Sequence, residues 1–280
     1  MTALDDPKVR RLLVLSHPNH EAAIFGLVQR LRPNLVVLTD GGGDPRPAES
    51  RQALGRIGLL DHARFLDFRE GDFYRALLDG DLAYFRNVID RVRIEVEEFA
   101  PEQIICDAVE FYNPVHDLSV PIVWAALGAS SLVQVFEAPL IYQVATKGAG
   151  DPARYELQRF PPSRRSRQIE IRLSPDELAG KLAARDQIYG SLRNQIAPLL
   201  YATPADHFAT EVIAPAATEL LEPSSEQILR YDWRARMLLA QGQVKRAIMR
   251  AEHYVPLATA MLADAQVDAA TVAAGHLRSW

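Results

Sequence analysis

The sequence predicts an α/β protein with a doubly wound, mostly parallel sheet. Two observations lead to this prediction: short continuous apolar runs such as Leu12–Leu15, and amphipathic segments between such runs, for example Leu82–Phe99. A continuous apolar run is typical of a strand buried on both faces, as in a parallel sheet that helices cover on each side. The alternation of strands and helices therefore favours a Rossmann-like architecture.

The individual elements follow from apolar spacing and from the residues that end each segment. Apolar residues three or four positions apart predict helices, and proline is expected to end the first strand at Pro18 and the long helix at Pro101. In chain order the sequence predicts strand Leu12–Leu15, helix Ala22–Leu31, strand Leu35–Leu38, helix Ala48–Gly58, strand Ala63–Phe68, helix Leu82–Phe99, strand Gln103–Asp107 and helix Val120–Ser131. The polar segment Arg69–Asp72 is interpreted as a loop.

After residue 131 the pattern changes. Apolar and β-branched residues predict three more strands, Leu132–Phe136, Pro139–Val144 and Gln168–Arg172. Ser174 is expected to cap a helix that begins at Pro175 and runs to about Asn194, because a glutamate stands three residues after the cap. From residue 197 helical spacing dominates. We therefore expect an α/β domain over residues 1–196 and a helical C-terminal region, residues 197–280, packed on it.

Composition and charge narrow the classes of protein that fit. The chain of 280 residues is long enough to bury a substantial core, and its 31 Lys and Arg against 36 Asp and Glu give a net charge of −5. Because no long basic block appears, nucleic acid is not an expected partner. Cys106 is the single cysteine and cannot form an intrachain disulfide. With neither a secretory leader nor a run of membrane-spanning length, we expect a cytoplasmic protein with no membrane partner.

Three histidines follow strands of the predicted sheet. His17 and His20 come after the first strand, and His116 lies in the loop after the fourth. Open α/β sheets bind ligands beyond the carboxyl ends of their strands, so these side chains are expected at one edge. The HxxH spacing alone would suit surface or capping histidines equally well. Three imidazoles at one crevice favour a divalent metal, and a set that leaves one coordination position open is typical of catalytic zinc.

A glycine-rich loop follows the second strand. It reads Thr39-Asp40-Gly41-Gly42-Gly43 and lacks the spacing of the known phosphate-binding loops. Glycine permits positive φ and lets a ligand approach the backbone closely, so Asp40 and Gly41–Gly43 are candidate substrate-binding residues. A flexible connection between strand and helix explains the same residues equally well.

These motifs together resemble the PIG-L/LmbE-like family of metal-dependent sugar N-deacetylases. The family opens with a strand and an HPDDE motif, which stands here as HPNHE at His17–Glu21. Further similarities are LVVLTDGGG at Leu35–Gly43, Glu49 with Leu54-Gly55, the segment FLDFREG, NPVH at Asn113–His116 where the family has HPDH, and KLAARDQIYGS at Lys181–Ser191. The resemblance covers most of the chain and implies the α/β fold of that family.

The resemblance also implies a ligand set for the metal. The positions that hold the metal in the family fall on His17, His20 and His116, with His20 where the family has aspartate. Three neutral histidines in place of two histidines and a carboxylate raise the net charge of the site by one unit. Such a set still suits Zn²⁺ or another divalent metal, and it should lower the pKa of a bound water further.

The catalytic residues of the family are less well matched. Its general base falls on Asn19, and the histidine that assists the oxyanion or the leaving amine falls on Asn113. An amide cannot accept a proton, although Asn113 can still donate a hydrogen bond. Glu21 and Asp117 are candidate replacement bases. A carboxylate at a strand-to-helix turn is, however, more often a favourable charge at a helix N-terminus.

Two functions remain open from the sequence. The first is a zinc-dependent hydrolase that removes an N-acyl, typically acetyl, group from an amino-sugar-like small molecule. The second is a repurposed member of the same fold, which binds a metal or a sugar-like ligand with altered or lost deacetylase chemistry, since fold does not determine function. The family resemblance favours the enzyme. A homo-oligomer is possible in either case.

Overall fold

The computed structural model describes residues 6, 8–128, 132–144, 154–224 and 227–264. Its strands are β1 Arg11–Leu15, β2 Asn34–Thr39, β3 Ala63–Phe68, β4 Gln103–Asp107, β5 Gln134–Ala138, β6 Ile141–Val144, β7 Arg154–Leu157, β8 Ile169–Arg172 and β9 Thr210–Pro215. Seven of them form one sheet in the order β3-β2-β1-β4-β5-β9-β8. The first five are parallel, and β9 pairs antiparallel with both β5 and β8.

Helices connect the strands and cover the sheet. They are α1 Phe25–Leu31, α2 Arg46–Arg56, α3 Glu70–Asp79, α4 Leu82–Phe99, α5 Pro114–Asp117, α6 Ser119–Leu127, α7 Pro175–Gln187, α8 Gly190–Ala202 and α9 Arg230–Ala240. Short 3₁₀ turns span His20–Ile24, Leu60–His62, Pro162–Arg167 and Ala205–Ala209, while Arg250–Tyr254 forms a π-helical turn and residues 255–264 are helical. No helix in the described ranges is both long and apolar enough to cross a membrane.

The sheet has an apolar core on each face. Leu12 and Val14 of β1 pack in the cluster that includes residues of α4 and α6, whereas Leu13 and Leu15 pack in the cluster that includes residues of α1. Successive side chains of a strand point to opposite faces, which explains why the apolar run of β1 is continuous. The strand order reverses between β1 and β4, so the predicted doubly wound, Rossmann-like fold is confirmed.

Two element predictions are wrong. Arg69–Asp72 was expected to be a loop, but Glu70 and Asp72 lie in the first turn of α3, where their negative charges suit the helix dipole. Residues beyond 197 were expected to be mostly helical and to pack on the α/β domain, yet Thr210–Pro215 forms β9, inside the main sheet. Its pairing partners β5 and β8 stabilise this short segment as a strand. The division at residues 196 and 197 stays a prediction.

Other boundaries differ by smaller amounts. Ser174 caps α7 in the predicted capping box, but the helix ends at Gln187, and α8 begins at Gly190 as a separate helix. The strand expected within Pro139–Val144 does form, as β6, yet it pairs with β7 in a separate two-stranded sheet. The expected helix Val120–Ser131 ends at Leu127 in the structure, and residues 129–131 lie outside the described ranges.

Candidate metal centre

The three predicted histidines meet at the carboxyl edge of the sheet. His17 follows β1, His20 begins the first 3₁₀ turn, and His116 lies in α5 after β4. Their ring centroids are 5.0 Å apart for His17 and His20, 5.1 Å for His17 and His116, and 4.5 Å for His20 and His116. All three are buried, and one ligand atom from each lies within 4.8 Å of the other two.

A tight turn brings His17 and His20 together. Pro18 cannot donate to a sheet ladder, and Asn19 adopts a left-handed conformation with φ of 76° before the 3₁₀ turn begins. Asparagine tolerates this conformation better than most non-glycine residues. The order of residue types in HPNH therefore explains how the chain reverses between the two imidazoles.

The tautomer of His17 is set by Thr39. The Thr39 hydroxyl donates to the carbonyl of Ser16 at 2.7 Å, so it accepts from His17 Nδ1, which also lies at 2.7 Å. With its proton on Nδ1, His17 has the free lone pair on Nε2. That Nε2 atom is buried and has no hydrogen-bond partner among the described residues, which is the state expected of a metal-ligating nitrogen.

Asp107 orients His20 in the same way. Its Oδ2 atom lies 2.8 Å from His20 Nδ1 and also accepts from the backbone amide and hydroxyl of Ser16, at 2.7 and 2.5 Å. Burial opposes ionisation of Asp107, but the charge and hydrogen bond of His20 hold the pKa of this carboxyl below its ordinary value. A carboxylate behind an imidazole is the usual outer partner of a metal-binding histidine, and it leaves Nε2 for the metal.

Glu110 stands behind the third histidine. Its Oε1 accepts from the backbone amides of Leu140 and Ile141, and its Oε2 lies 3.5 Å from His116 Nδ1 without forming a hydrogen bond. Burial raises the pKa of Glu110 well above its ordinary value. Each of the three imidazoles thus has an oxygen beside its Nδ1 atom, but among the described residues hydrogen bonds at Nδ1 orient His17 and His20, whereas Nδ1 of His116 has no hydrogen-bond partner.

The electrostatics of the cluster suit a cation. Burial lowers the pKa of His17 well below its ordinary value, and the neighbouring His20, His116 and Arg46 lower it further. Burial and the neighbouring His20 also lower the pKa of His116 well below its ordinary value. Imidazoles bind metals in the neutral form, so the lowered pKa values of His17 and His116 favour binding of Zn²⁺ or another divalent metal.

A cavity of about 290 Å³ opens over the histidines. It is lined by polar side chains from several elements and by apolar side chains from the first 3₁₀ turn, β6, β7 and α8. The polar members are His17, Asn19, His20, Arg46, Tyr112, Asn113, His116, Gln158 and Gln195. A cavity that combines apolar walls with convergent polar groups is typical of a small-molecule site.

Comparison with known proteins identifies the fold. No protein-family model and no curated protein matches the sequence. Among solved structures, the A40926 pseudoaglycone deacetylase Dbv21 superposes with a TM-score of 0.53 at 13% identity, over 77% of this chain and 100% of that one. This chain has the fold of Dbv21. The fold implied by the resemblance to PIG-L/LmbE-like deacetylases is thereby confirmed.

Two further solved structures match over a similar share of the chain. The conserved protein TT1542 from Thermus thermophilus is 18% identical, and the match covers 78% of this chain and 99% of that one with a TM-score of 0.45. A triple mutant of a deacetylase of the teicoplanin biosynthetic pathway is 14% identical, and the match covers 74% of this chain and 97% of that one with a TM-score of 0.46.

Within the Dbv21 fold, Asn19 is held by a hydrogen-bond network rather than left free. Its Nδ2 donates to Glu49 Oε2 at 2.7 Å and to Ser191 Oγ at 2.8 Å, while its Oδ1 accepts from Ser50 Oγ at 3.2 Å. Ser191 Oγ also donates to Glu49. Asn19 therefore joins the turn to α2 and α8. The Glu49 carboxylate needs a hydrogen-bond donor beside it, which the amide of Asn19 provides and a second carboxylate would not.

Replacing Asn19 with aspartate is expected to destabilise the protein. The change removes two donated hydrogen bonds and places a second carboxylate beside Glu49 in a buried site, which should cost about 1–3 kcal/mol. Urea denaturation at pH 7 measures the loss. Asn19→Asp combined with Glu49→Gln should recover much of it, because glutamine can donate to the new carboxylate. Equal stability of wild type and Asn19→Asp would show that the network does not constrain this position.

The other predicted catalytic residues occupy different surroundings. Glu21 is fully buried and accepts from Tyr189 Oη at 3.0 Å, and burial raises its pKa. Asp117 accepts from the backbone amides of Glu110 and Phe111, and burial raises its pKa to about 7. Neither belongs to the cavity wall. Their roles as bases remain predictions, and each carboxylate has a structural role already.

Asn113 does line the cavity. Its Oδ1 accepts from the backbone amide of Val115, which caps α5, and from Tyr74 Oη at 3.2 Å. The acceptor oxygen is therefore occupied, and the Nδ2 group is the part of the side chain able to donate to a ligand. This arrangement is compatible with the hydrogen-bonding role predicted for Asn113, which stays a prediction.

The glycine loop is a tight turn beside the cluster. Gly41, Gly42 and Gly43 have φ of 62°, 87° and 92°, and Asp40 Oδ1 accepts from the backbone amides of Gly42 and Glu70. These positive φ values explain the three glycines. Asp40 and the glycines are not among the residues that line the cavity over the histidines, so their substrate-binding role remains a prediction.

The sequence did not single out Glu70 or Arg46, which lie next to the cluster. Glu70 Oε1 is 3.4 Å from His17 Nε2, and burial raises the pKa of this carboxyl while Arg46 opposes the rise. Arg46 donates to the carbonyls of Pro18 and Gly41 at 2.9 and 3.2 Å and lines the cavity. The signal for Glu70 was its position just after β3, at the same sheet edge as the histidines.

Proposed function

We propose that this chain is a metal-dependent hydrolase that removes an N-acyl group, such as acetyl, from an amino-sugar-like substrate. The observation that carries the proposal is the group of three buried histidines, each with an oxygen beside Nδ1, at the base of a cavity where the strand order reverses. Dbv21 shares the fold and is named as a deacetylase, which supports the reaction class.

His17, His20 and His116 would hold the metal, with Zn²⁺ the best match to three nitrogen ligands. A bound divalent cation would supply Lewis-acid polarisation of the acyl carbonyl and a lowered pKa for the attacking water. Thr39 and Asp107 hold the rings of His17 and His20 in place, which fixes the direction of their Nε2 lone pairs. Asn113 lines the cavity and would donate from Nδ2 to the developing oxyanion.

Glu70 is our candidate for the proton acceptor. The family base position is occupied by Asn19, whose amide donates to Glu49 and Ser191. Among the carboxylates in the described part of the chain, Glu70 has an oxygen 3.4 Å from His17 Nε2, the nitrogen assigned to the metal. A carboxylate there can take a proton from a water positioned beside His17 and later return it to the leaving amine.

Glu70→Gln is expected to lower the rate of N-acyl hydrolysis by at least about 10²-fold, because a positioned general base is typically worth ~10²–10⁴-fold. The side chain keeps its shape, so binding of substrate should change less than turnover. The measurement is kcat and KM for acetate release with zinc supplied. Asp72→Asn is the matched control, since Asp72 is in the same helical turn but pairs with exposed Arg75. Equal loss in both variants would remove Glu70 from the mechanism.

A panel of N-acetylated amino sugars tests the function itself. Purified protein supplied with zinc should release acetate from at least one of them, and a chelator should stop the reaction. A second function, binding of a sugar-like ligand without hydrolysis, is favoured by the amide at Asn19, which has no proton-accepting group. Binding of an N-acetyl sugar with no acetate release from any member of the panel would support this second function and contradict the hydrolase.

A further inference from the structure

Two larger cavities border the cavity over the histidines at Tyr112. Tyr112 lines all three, and the other two have volumes of about 420 and 750 Å³. Its ring lies 6.5 Å from the ring of His116, with 30° between the planes. A ligand that extends from the histidines past this ring would therefore reach one of the two outer cavities.

Arg230 lies beside Tyr112 and lines both outer cavities. Its guanidinium carbon is 5.8 Å from the ring centroid of Tyr112, 5.9 Å from that of Tyr155 and 5.3 Å from that of Trp233. Its backbone amide donates to the carbonyl of Phe111 at 2.7 Å, which fixes the start of α9. Aromatic faces hold a guanidinium in place while leaving its positive charge uncompensated by an anion.

The charge around the outer cavities is predominantly positive. Arg154 lines the larger cavity and Arg234 the smaller one. In the described parts of the chain, neither of them nor Arg230 has an acidic side chain within ion-pair distance. The carboxylate of Glu156, which also lines the larger cavity, pairs instead with Arg165 at 2.5 Å. A group of arginines without acidic partners is unusual in a chain of net charge −5, and it points to an anionic ligand.

We propose that Arg230 binds an anionic group, a carboxylate or a phosphate, on the part of the substrate that extends past Tyr112. The inference rests on the proposed function for the orientation of the ligand, with its acylated nitrogen at the histidines. The substrate class then narrows from amino sugars in general to N-acyl amino sugars that carry a negative charge. Guanidinium matches the geometry of either anion by forming paired hydrogen bonds.

Binding and hydrolysis of three probes test the proposal on zinc-supplied protein. The probes are N-acetylglucosamine, which is neutral, N-acetylglucosamine 6-phosphate and N-acetylmuramic acid, which carries a carboxylate. Isothermal titration calorimetry should show at least one charged probe binding ~10- to 100-fold more tightly than the neutral one, the range expected of a charge-assisted hydrogen bond. The probe that gains affinity distinguishes phosphate from carboxylate.

Arg230→Gln should remove this preference and leave the affinity for N-acetylglucosamine within ~2-fold. Arg236→Gln, on the same helix and outside the walls of both outer cavities, carries the same change of charge and should keep the preference. Equal affinity of wild type for charged and neutral probes, or failure to bind either charged probe, overturns the proposal even if Arg230→Gln does not fold. If Arg230→Gln and Arg236→Gln reduce the preference for charged probes equally, Arg230 is not the residue that binds the anion.

The two proposals fail separately in this experiment. Tighter binding of a charged probe without acetate release supports the anion subsite and contradicts the hydrolase. Acetate release from all three probes with no preference for charge supports the hydrolase and contradicts the subsite.

Discussion

Replacing His116 with alanine is expected to abolish metal binding and, with it, N-acyl hydrolysis. His116 provides one of the three proposed ligand nitrogens, and its ring lies 4.5 Å from that of His20 and 5.1 Å from that of His17. Changes to the residues behind a ligand already cost ~10–100-fold in metal affinity, so loss of the ligand itself should cost more than ~100-fold. Activity with zinc supplied should fall to background.

Elemental analysis after dialysis against zinc measures this effect directly. Wild type should retain close to one equivalent of metal and His116→Ala almost none, while circular dichroism confirms that both are folded. His62→Ala serves as the control, because His62 is exposed and lies in the 3₁₀ turn before β3, away from the cluster. Wild-type protein without metal after zinc is supplied, or a His116→Ala variant that keeps it, would contradict the assignment of the ligands.

Lys181→Met is expected to lower the free energy of unfolding by about 3–5 kcal/mol, the usual cost of removing one partner of a buried ion pair. Lys181 Nζ donates to the carbonyl of Ala23 at 2.7 Å, to Gln158 Oε1 at 2.8 Å and to Glu211 Oε1 at 2.8 Å. Both partners of the ion pair are buried. Methionine fills a similar volume but leaves the Glu211 carboxylate without a counter-charge.

Urea denaturation compares this variant with Arg246→Met. Arg246 forms an ion pair with Asp79 in which the two side chains are 60% and 46% exposed, so its loss should cost no more than ~1 kcal/mol. The difference between the two variants isolates the effect of burial. Similar losses in both would mean that the Lys181–Glu211 pair contributes no more than a surface contact.

Periodic segments were predictable from the sequence, and their bounds agree closely with the structure. Helix Leu82–Phe99 and strands Ala63–Phe68 and Gln103–Asp107 begin and end where expected. In each case the apolar spacing and a proline or polar residue at the end act locally. Strand β9 was not predictable, because it is stabilised by pairing with β5 and β8, which are distant in the chain, rather than by its own short sequence.

The same distinction applies to the candidate site. His17, His20 and His116 could be grouped because all three follow parallel strands, and strand ends meet at one edge. The residues that hold these histidines in place could not be predicted from the sequence. Thr39 and Asp107 contact the histidines across 22 and 87 positions of the chain, and no local motif marks either as a partner. The Asn19 network with Glu49 and Ser191 likewise spans 30 and 172 positions.

Strand β9 makes the candidate site dependent on a late part of the chain. Its Glu211 accepts from the backbone amides of Gly26 and Leu27, in the first turn of α1, directly after the turn that carries His17 and His20. A nascent chain that has not yet reached residue 210 lacks this support and exposes an unpaired edge on β5. We therefore expect the site to be completed late in synthesis, and until then we expect the five parallel strands to present an edge open to association with other chains.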